Sequence, residues 1–234
     1  LLDAKVFTSD TWGRRNERRA QHLAQVIKAR PGQEISVGIL YGNTGKALVK
    51  EISPTHCLLE ISTLNTPPPA PLPLTLILAL PRPRMLQRSL QTIATMGVEK
   101  LYLIQTSRVE KSFWQTPLLS TENVHEQLIL GLEQGKATHL PEVHLFQRFR
   151  PFVEDHLATL CTGKKKFIAH PSSHYDFPQK QNQDSTVLAV GPEGGFIDKE
   201  VGAFLGEGFT PIQLGQRILR VETAIPVLLA KLYD

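Results

Sequence analysis

The 234-residue sequence has few cysteines and no long apolar run, and each absence excludes a class of protein. Cys57 and Cys161 lie far apart and belong to no CxxC pair, so we expect two reduced thiols and no zinc site. The longest apolar run, Leu74 to Leu80, is far shorter than the ~20 residues that a membrane span needs. No signal peptide is recognisable at Leu1 to Asp3. We therefore expect a cytoplasmic protein with no membrane partner.

The usual nucleotide-binding signatures are also missing. No G-x-G-x-x-G follows a predicted strand, and no G-x-x-x-x-G-K-[ST] is present, so a phosphate-cradling loop is not expected. His170 and His174 have the spacing of metal ligands on a helix, but Pro171 breaks any helix there. We expect no metal.

Basic residues exceed acidic ones, and some of them are clustered. The net charge of +4, from 26 basic and 22 acidic residues, permits a nucleic-acid partner without requiring one. Near the start of the chain, six basic residues occupy seventeen positions with only Glu17 opposing them: Arg14, Arg15, Arg18, Arg19, Lys28 and Arg30. Two interpretations stay open, a solvated face and a patch that contacts phosphates.

A proline-rich segment predicts two domains. Residues 66–73 contain five prolines, which favour a stiff, extended linker at 67–73 between a domain at 1–66 and a domain at 74–234. The first domain opens with an amphipathic stretch, Arg18 to Lys28. Short β-like runs separated by turns then predict a small β-barrel: Glu34 to Leu40, Lys46 to Ile52 and His56 to Ile61.

Strands and helices alternate after the linker, which predicts an α/β domain with a mainly parallel sheet. The predicted strands are Leu74 to Leu80, Leu101 to Ile104, Phe167 to Ala169, Val187 to Val190 and Ile212 to Leu214. Helical spacing of apolar residues predicts helices around Leu86 to Ile93, from Ser120 to Gly135, from Asp198 to Gly206 or Gly208, and from Thr223 to Tyr233.

Three of these strands end directly before unusual loops. The loops begin with His170-Pro171, with Gly191-Pro-Glu-Gly-Gly and with Gly215, and the third continues to Arg220. Ligands of parallel sheets gather at the carboxyl ends of strands, and glycine lets the backbone approach an adenine edge closely. The alternatives to a ligand site are an ordinary tight turn at 191–195 and surface salt bridges at Arg217 and Arg220.

The glycine-bearing second loop opens a longer series of motifs in the C-terminal part of the sequence. The segment 191–196 (GPEGGF) is followed by Glu200, by Gly208-Phe209 and by the segment 214–224 (LGQRILRVETA). The order and spacing of these motifs resemble those of the RsmE family of SPOUT-class methyltransferases. His22 with Val26 to Lys28 and Pro31-Gly32 is similar to the family's opening motif, and so is Glu133-Gln134 followed by Pro141 and Val143.

The resemblance implies a fold and an activity beyond what the residues alone predict. It implies a PUA-like or OB-like RNA-binding barrel followed by a domain with a C-terminal trefoil knot, acting as a homodimer. It implies S-adenosylmethionine as cofactor and methylation of uridine N3 in 16S rRNA of the small ribosomal subunit, at rRNA position 1498. The family's cofactor-binding positions fall on His170, Pro171, Val190, Gly191, Gly195, Leu214, Gly215, Ile218, Leu219 and Arg220.

Several positions depart from the family pattern. Where the family has arginine, this sequence has Lys28 and Ala137. Thr92 replaces the family's lysine, and Thr95 replaces its glutamate. The chain carries its own basic cluster after the first strand of the second domain, formed by Arg82, Arg84 and Arg88. We expect this cluster to bind RNA together with the basic N-terminal residues. A paralogue that methylates another RNA site, or a ribosome-binding protein without catalysis, remains an alternative.

The expected chemistry needs a cation and a base. Uridine N3 must lose a weakly acidic proton, and Arg220 in the third loop is our first candidate for stabilising the developing anion. Glu222 orients that arginine or accepts the proton, and Glu193 is a second candidate base. The alternative for Glu222 is a carboxylate favoured by the positive end of a helix.

Overall fold

A computed structural model of the protein describes residues 7–8, 11–13, 20–26, 28–171, 177–181 and 184–233. These residues form two units. The first covers the described residues up to Pro69 together with Leu132–Leu140, and the second covers Ala70–Gly131 with the described residues from Pro141 onwards. The predicted RNA-binding residues Arg14, Arg15, Arg18 and Arg19 lie outside the described residues, as does His174.

An antiparallel sheet of five strands forms the first unit, in the order β1-β2-β5-β4-β3. The strands are β1 (Phe7–Thr8), β2 (Thr11–Gly13), β3 (Glu34–Gly38), β4 (Thr44–Ile52) and β5 (Cys57–Thr66). β4 alternates between buried Ala47 and Val49 and exposed Lys46 and Lys50, so one face of the sheet packs on an apolar core. The predicted amphipathic stretch contains a π-helical turn, His22–Val26.

The second unit contains a parallel sheet of six strands, in the order β11-β9-β10-β6-β7-β8. The strands are β6 (Leu72–Ala79), β7 (Val98–Ile104), β8 (Glu142–Phe146), β9 (Lys165–Ala169), β10 (Thr186–Val190) and β11 (Thr210–Ile212). The central strands β6 and β10 are almost wholly buried, as strands covered on both faces should be. The predicted α/β fold with a parallel sheet is confirmed.

The helices of the second unit follow the strands along the chain. They are α1 (Pro83–Thr95), α2 (Thr121–Gly135), α3 (Phe149–Phe152), α4 (Ala158–Cys161), α5 (Asp198–Gly206) and α6 (Val221–Leu232), with a π-helical stretch, Val153–Leu157, between α3 and α4. The last four residues of α2, from Leu132 onwards, belong to the first unit. α1 packs against α6. Short 3-10 turns, Lys111–Gln115 and Pro117–Leu119, precede α2.

Two predicted boundaries were wrong at proline residues. β6 begins at Leu72, inside the predicted linker, and Pro73 falls in a register shift of the β6–β7 pairing where its missing N–H costs little. α6 begins at Val221, so Pro226 lies in its second turn rather than its first. The carbonyl of Glu222 therefore lacks the usual helical donor four residues later.

The sequence analysis also missed some elements. β1, β2, β8 and the helical stretch from Phe149 to Cys161 were not predicted. β8 is an edge strand with exposed Glu142 and Leu145, so its sequence lacks the continuous apolar run of a buried strand. Tertiary contacts hold it instead, because His144 on β8 stacks on the ring of Tyr102 on β7 at 4.5 Å.

Both cysteines are free and buried. Burial raises the pKa of the Cys161 thiol to about 11 and also raises the pKa of Cys57. Both thiols are therefore protonated near neutral pH, which argues against a cysteine nucleophile. No helix among the described residues is long and apolar enough to cross a membrane.

Candidate functional site

The three unusual loops of the second unit meet at one edge of its sheet. They leave the carboxyl ends of β9, β10 and β11, which are neighbours in the order β11-β9-β10. The backbone N–H of His170 in the first loop donates to the carbonyl of Ile212 at the end of β11, at 3.0 Å. The parallel sheet thus brings together residues that lie more than forty positions apart in the chain.

A cavity of about 210 Å³ lies between these loops. The candidate base Glu193 lines this cavity. Nearly all the residues predicted to bind the cofactor line it as well: His170, Pro171, Val190, Gly191, Gly195, Leu214, Gly215, Ile218 and Leu219. Phe196, Val221, Ala224 and Leu228 also line it, and none of these four was among the residues predicted to bind the cofactor. The cavity is therefore shaped by the three loops and by one face of α6.

Glycines shape the cavity wall. Gly195 and Gly215 have φ angles of +73° and +122°, in the region that side chains rarely adopt. A Cβ on Gly191 would lie 3.1 Å from the backbone nitrogen of Phe196, so a side chain there would push the turn apart. A Cβ on Gly215 would meet nothing within 4 Å, so only the backbone conformation requires glycine there.

Two charged side chains flank the opening of the cavity. Glu193 and Arg217 are both exposed. Among the described residues that line the cavity, Glu193 is the only acidic one and Arg217 is the only lysine or arginine. Ile218 beside them has 83% of its surface exposed. The cavity is thus apolar inside, with one charge of each sign where it meets solvent.

Arg220 and Glu222 do not line the cavity. Arg220 directly precedes α6, its side chain is exposed, and its carbonyl accepts hydrogen bonds from the N–H groups of Thr223 and Ala224. Glu222 is half-buried in the first turn of α6. Both residues follow the cavity-lining residue Leu219 in the chain.

Arg108 is a neighbour of the cavity that the sequence analysis missed. It follows β7, and its guanidinium donates to the carbonyl of Gly194 in the second loop. The buried carboxylate of Glu200 also joins these loops, because it accepts from the N–H groups of Ser107, at 2.6 Å, and Ile197, at 3.0 Å. Arg108 follows a predicted strand whose carboxyl end lies at the same edge of the sheet, and that was the available signal.

The described residues predicted to bind RNA are exposed. Arg82 lies between the end of β6 and the start of α1, at the carboxyl edge of the sheet, and Arg84 and Arg88 lie on α1. Lys28 is exposed in the first unit, with a φ of +53°. In the part of the chain that the structure describes, no group of three or more His, Cys, Asp or Glu residues is arranged to hold a metal ion.

Comparison with known proteins identifies the second unit. Residues 68–233 match the family model of the RNA methyltransferase domain. The chain belongs to this family. The match takes in the three loops, the cavity and α6, so the site described above lies within the methyltransferase domain.

Relatives named Ribosomal RNA small subunit methyltransferase E confirm the resemblance to the RsmE family. The protein of Treponema pallidum is 28% identical over 206 residues, 87% of this chain and 77% of the relative. That of Borreliella burgdorferi is 24% identical over 218 residues, 89% of this chain and 87% of the relative.

Solved structures share the fold of the methyltransferase domain and of the residues before it. A ribosomal RNA small subunit methyltransferase E from Neisseria gonorrhoeae, bound to S-adenosylmethionine, has a TM-score of 0.72 at 22% identity, covering 97% of this chain and 94% of that one. A methyltransferase from Legionella pneumophila, also with bound S-adenosylmethionine, has a TM-score of 0.72 at 24% identity, covering 95% and 90%.

Proposed function

We propose that this chain transfers the methyl group of S-adenosylmethionine to N3 of a uridine in 16S rRNA of the small ribosomal subunit. The observation that carries the proposal is the cavity between three loops at the carboxyl edge of an RNA methyltransferase domain. The names of the relatives support a small-subunit rRNA substrate. Uridine 1498 is the target that the resemblance to the RsmE family favours, and the ribosomal substrate favours a cytoplasmic location.

The residues of the cavity fit S-adenosylmethionine. Leu214, Leu219 and Leu228 offer apolar contact to an adenine ring, and the glycine-bearing loops offer backbone groups to its polar edge. Arg217 would hold the carboxylate of the methionine part. The bound cofactor supplies a methyl group that is activated by the positive sulfur.

Around this cofactor, the chain's own residues manage the proton of uridine N3. Arg220 stabilises the anion that develops on the uracil ring, because a guanidinium stays charged and presents a fork of donors. Glu193 or Glu222 accepts the proton. We favour Glu193, because it lines the cavity and Glu222 does not.

We also propose that the methyltransferase domain is knotted. β11 pairs with β9 at the edge of the sheet, yet α6 packs against α1, which follows the central strand β6. The backbone N–H of Gln181, between β9 and β10, donates to the carbonyl of Leu232 at the end of α6. A helix that ends beside the β9–β10 connection supports a trefoil arrangement.

The first unit is proposed to be a PUA-like or OB-like barrel that binds RNA. Its long strands β4 and β5 pair with register shifts between Thr44 and Lys46, between Lys46 and Ala47, and between Val49 and Glu51. Such bulges let a sheet curve toward closure. The proposed domain division is 1–66 and 74–234 with a proline-rich linker at 67–73, whose last two residues already belong to β6. The proposed RNA-binding role rests on the basic N-terminal residues.

Neutralising those N-terminal residues should weaken RNA binding selectively. Replacing Arg14, Arg15, Arg18 and Arg19 together by glutamine should raise KM for small subunits, and lower the salt dependence of binding by roughly one counterion per lost contact. The affinity for S-adenosylmethionine should not change, because the cavity lies in the other unit. Filter binding over a salt series and calorimetry measure the two effects.

A charge control comes from the same unit. Lys46 and Lys50 lie on β4 and pair with Glu34 and Glu60, so replacing both lysines by glutamine removes positive charges that already have acidic partners. If the fourfold arginine variant binds subunits as the control does at every salt concentration, the cluster is a solvated face.

We propose a homodimer built through the methyltransferase domain with α6 contributing. The proposal rests on the family resemblance, and the exposed side chain of Ile218 near the start of α6 is consistent with a covered surface. Sedimentation velocity at micromolar concentration should show a dimer. A monomer under these conditions contradicts the proposal.

A second candidate function is methylation of a different RNA site by the same chemistry. It is favoured by Thr95, which stands where the family has glutamate. Its hydroxyl donates to the carbonyls of Gln91 and Gly131, at 2.8 and 2.9 Å, so Thr95 serves helix packing rather than recognition of RNA. Thr92 and Ala137 likewise carry no charge for RNA contact.

Methyl transfer to isolated ribosomal particles tests the proposal. The purified chain and labelled S-adenosylmethionine are incubated with small subunits, large subunits and naked 16S rRNA, all from cells that lack the gene. We expect label in small-subunit rRNA as N3-methyluridine. Label at another nucleotide supports the second candidate, and binding to subunits without transfer supports a non-catalytic ribosome-binding protein.

A further inference from the structure

The loop that follows β7, residues 105–110 (the β7 loop), is braced by one side chain. Nε2 of Gln105 donates to the carbonyls of Thr106, at 2.7 Å, and Val109, at 2.8 Å. Its Oε1 accepts from Nε1 of Trp114 at 2.5 Å. Three hydrogen bonds on one amide hold the β7 loop in a fixed shape, and Arg108 lies at its centre.

A buried carboxylate ties the β7 loop to the second loop of the cavity. Glu200 on α5 is 3% exposed. One of its oxygens accepts from the N–H of Ser107 and the other from the N–H of Ile197. Since one rigid group bridges two backbone segments, the position of the β7 loop relative to the second loop is fixed.

Arg108 makes the contact nearest to the cavity. Its guanidinium donates to the carbonyl of Gly194, which lines the cavity. The stem of the same side chain lies against Gly194, because a Cβ there would be 3.1 Å from Cδ of Arg108. Gly194 does not have a positive φ, so its backbone conformation does not require glycine.

We propose that Arg108 is a positioning residue for the cofactor, and that position 194 is glycine to admit Arg108. The inference rests on the proposed function of the cavity. Arg108 holds the turn of residues 191–195 in the shape that the cavity needs before any ligand is bound. Gly191 and Gly195 shape the wall directly, whereas Gly194 acts through the arginine.

A competing role for Arg108 is contact with an RNA phosphate. The side chain is exposed and lies at the carboxyl edge of the sheet, as Arg82 does. A phosphate contact would raise KM for RNA and leave cofactor affinity unchanged. A positioning role predicts the reverse, with weaker cofactor binding in the absence of RNA.

A double-mutant cycle separates the two roles. Calorimetry without RNA measures the affinity for S-adenosylmethionine of wild type, Arg108→Ala, Gly194→Val and the double variant. We expect each single variant to bind about tenfold more weakly, since both lose the same charge-assisted hydrogen bond. The double variant should bind no more weakly than either single one, because the valine fills space that the arginine has left.

Two further measurements sharpen the test. Arg108→Lys keeps a donor on a long stem and should recover part of the affinity. Hydrogen exchange in the unliganded protein should be faster over residues 191–197 in Arg108→Ala than in wild type. The control is Arg150→Ala, which removes an exposed arginine that pairs with Glu154 at 2.7 Å, and it should change neither readout.

The outcomes are distinguishable. If wild type binds S-adenosylmethionine and Arg108→Ala binds it equally well, this inference is overturned and the proposed function is not. Additive losses in the cycle overturn the claim that Gly194 acts through Arg108. Wild type that binds no S-adenosylmethionine overturns the proposed function together with this inference.

Discussion

Replacing Gly215 by valine should weaken the binding of S-adenosylmethionine by about 100-fold, since backbone strain costs up to about 3 kcal/mol. Gly215 has a φ of +122°, which a β-branched residue avoids. A Cβ at this position meets no atom within 4 Å, so we expect the loss because the third loop must leave its conformation. Leu214 and Ile218 on either side would then move from the cavity wall. Calorimetry on the purified variant measures the effect.

Gly163 provides a matched control for this substitution. It also has a positive φ, +70°, a Cβ there would meet nothing within 4 Å, and it lies in the same unit. It precedes β9, at the amino edge of the sheet, opposite the cavity. Gly163→Val should therefore lower the melting temperature while leaving cofactor affinity unchanged. Equal affinity in Gly215→Val and wild type would show that the cofactor binds elsewhere.

Replacing Arg220 by alanine should lower kcat by about 100-fold, the loss expected when a donor to a developing anion is removed. The affinity for S-adenosylmethionine should be unchanged, because the Arg220 side chain does not line the cavity. The affinity for RNA should fall only by the contribution of one positive charge near the phosphate backbone. Single-turnover methyl transfer at saturating cofactor and RNA isolates the chemical step.

Arg217 is the natural comparison for Arg220. Both arginines are exposed and three positions apart, but only Arg217 lines the cavity. Arg217→Ala should weaken cofactor binding, whereas Arg220→Ala should slow turnover, and Arg220→Lys should restore part of that turnover by keeping the charge. A loss of cofactor affinity in Arg220→Ala with kcat intact would reverse the two assignments.

The cavity was predictable because its signals are local. Each loop carries glycine or proline directly after an apolar run, and a parallel sheet places the carboxyl ends of its strands at one edge. Gly195 and Gly215 have positive φ angles, as glycines in tight loops often do. The positions of the three loops could thus be predicted from the residues alone, whereas the individual cofactor-binding residues were taken from the resemblance to the RsmE family.

Contacts between distant segments were not predictable. Arg108 and Gly194 are 86 residues apart. The strands that precede them place both residues at the same edge of the sheet, but the sequence does not indicate that the two residues come into contact. The edge strand β8 has no continuous apolar run, and it contacts β7 through strand pairing and through the stacking of His144 on Tyr102. The loop that carries Arg220 was predictable, but the absence of Arg220 from the cavity lining was not.

The central claim is tested most directly by nucleoside mass spectrometry of small-subunit rRNA from cells with and without the gene. A methyl group on N3 blocks Watson–Crick pairing, so reverse transcription across the site should stop in the presence of the gene and read through in its absence. Complementation with the wild-type gene should restore N3-methyluridine, and the gene encoding Gly215→Val should not. N3-methyluridine at the same level in cells that lack the gene would contradict the account.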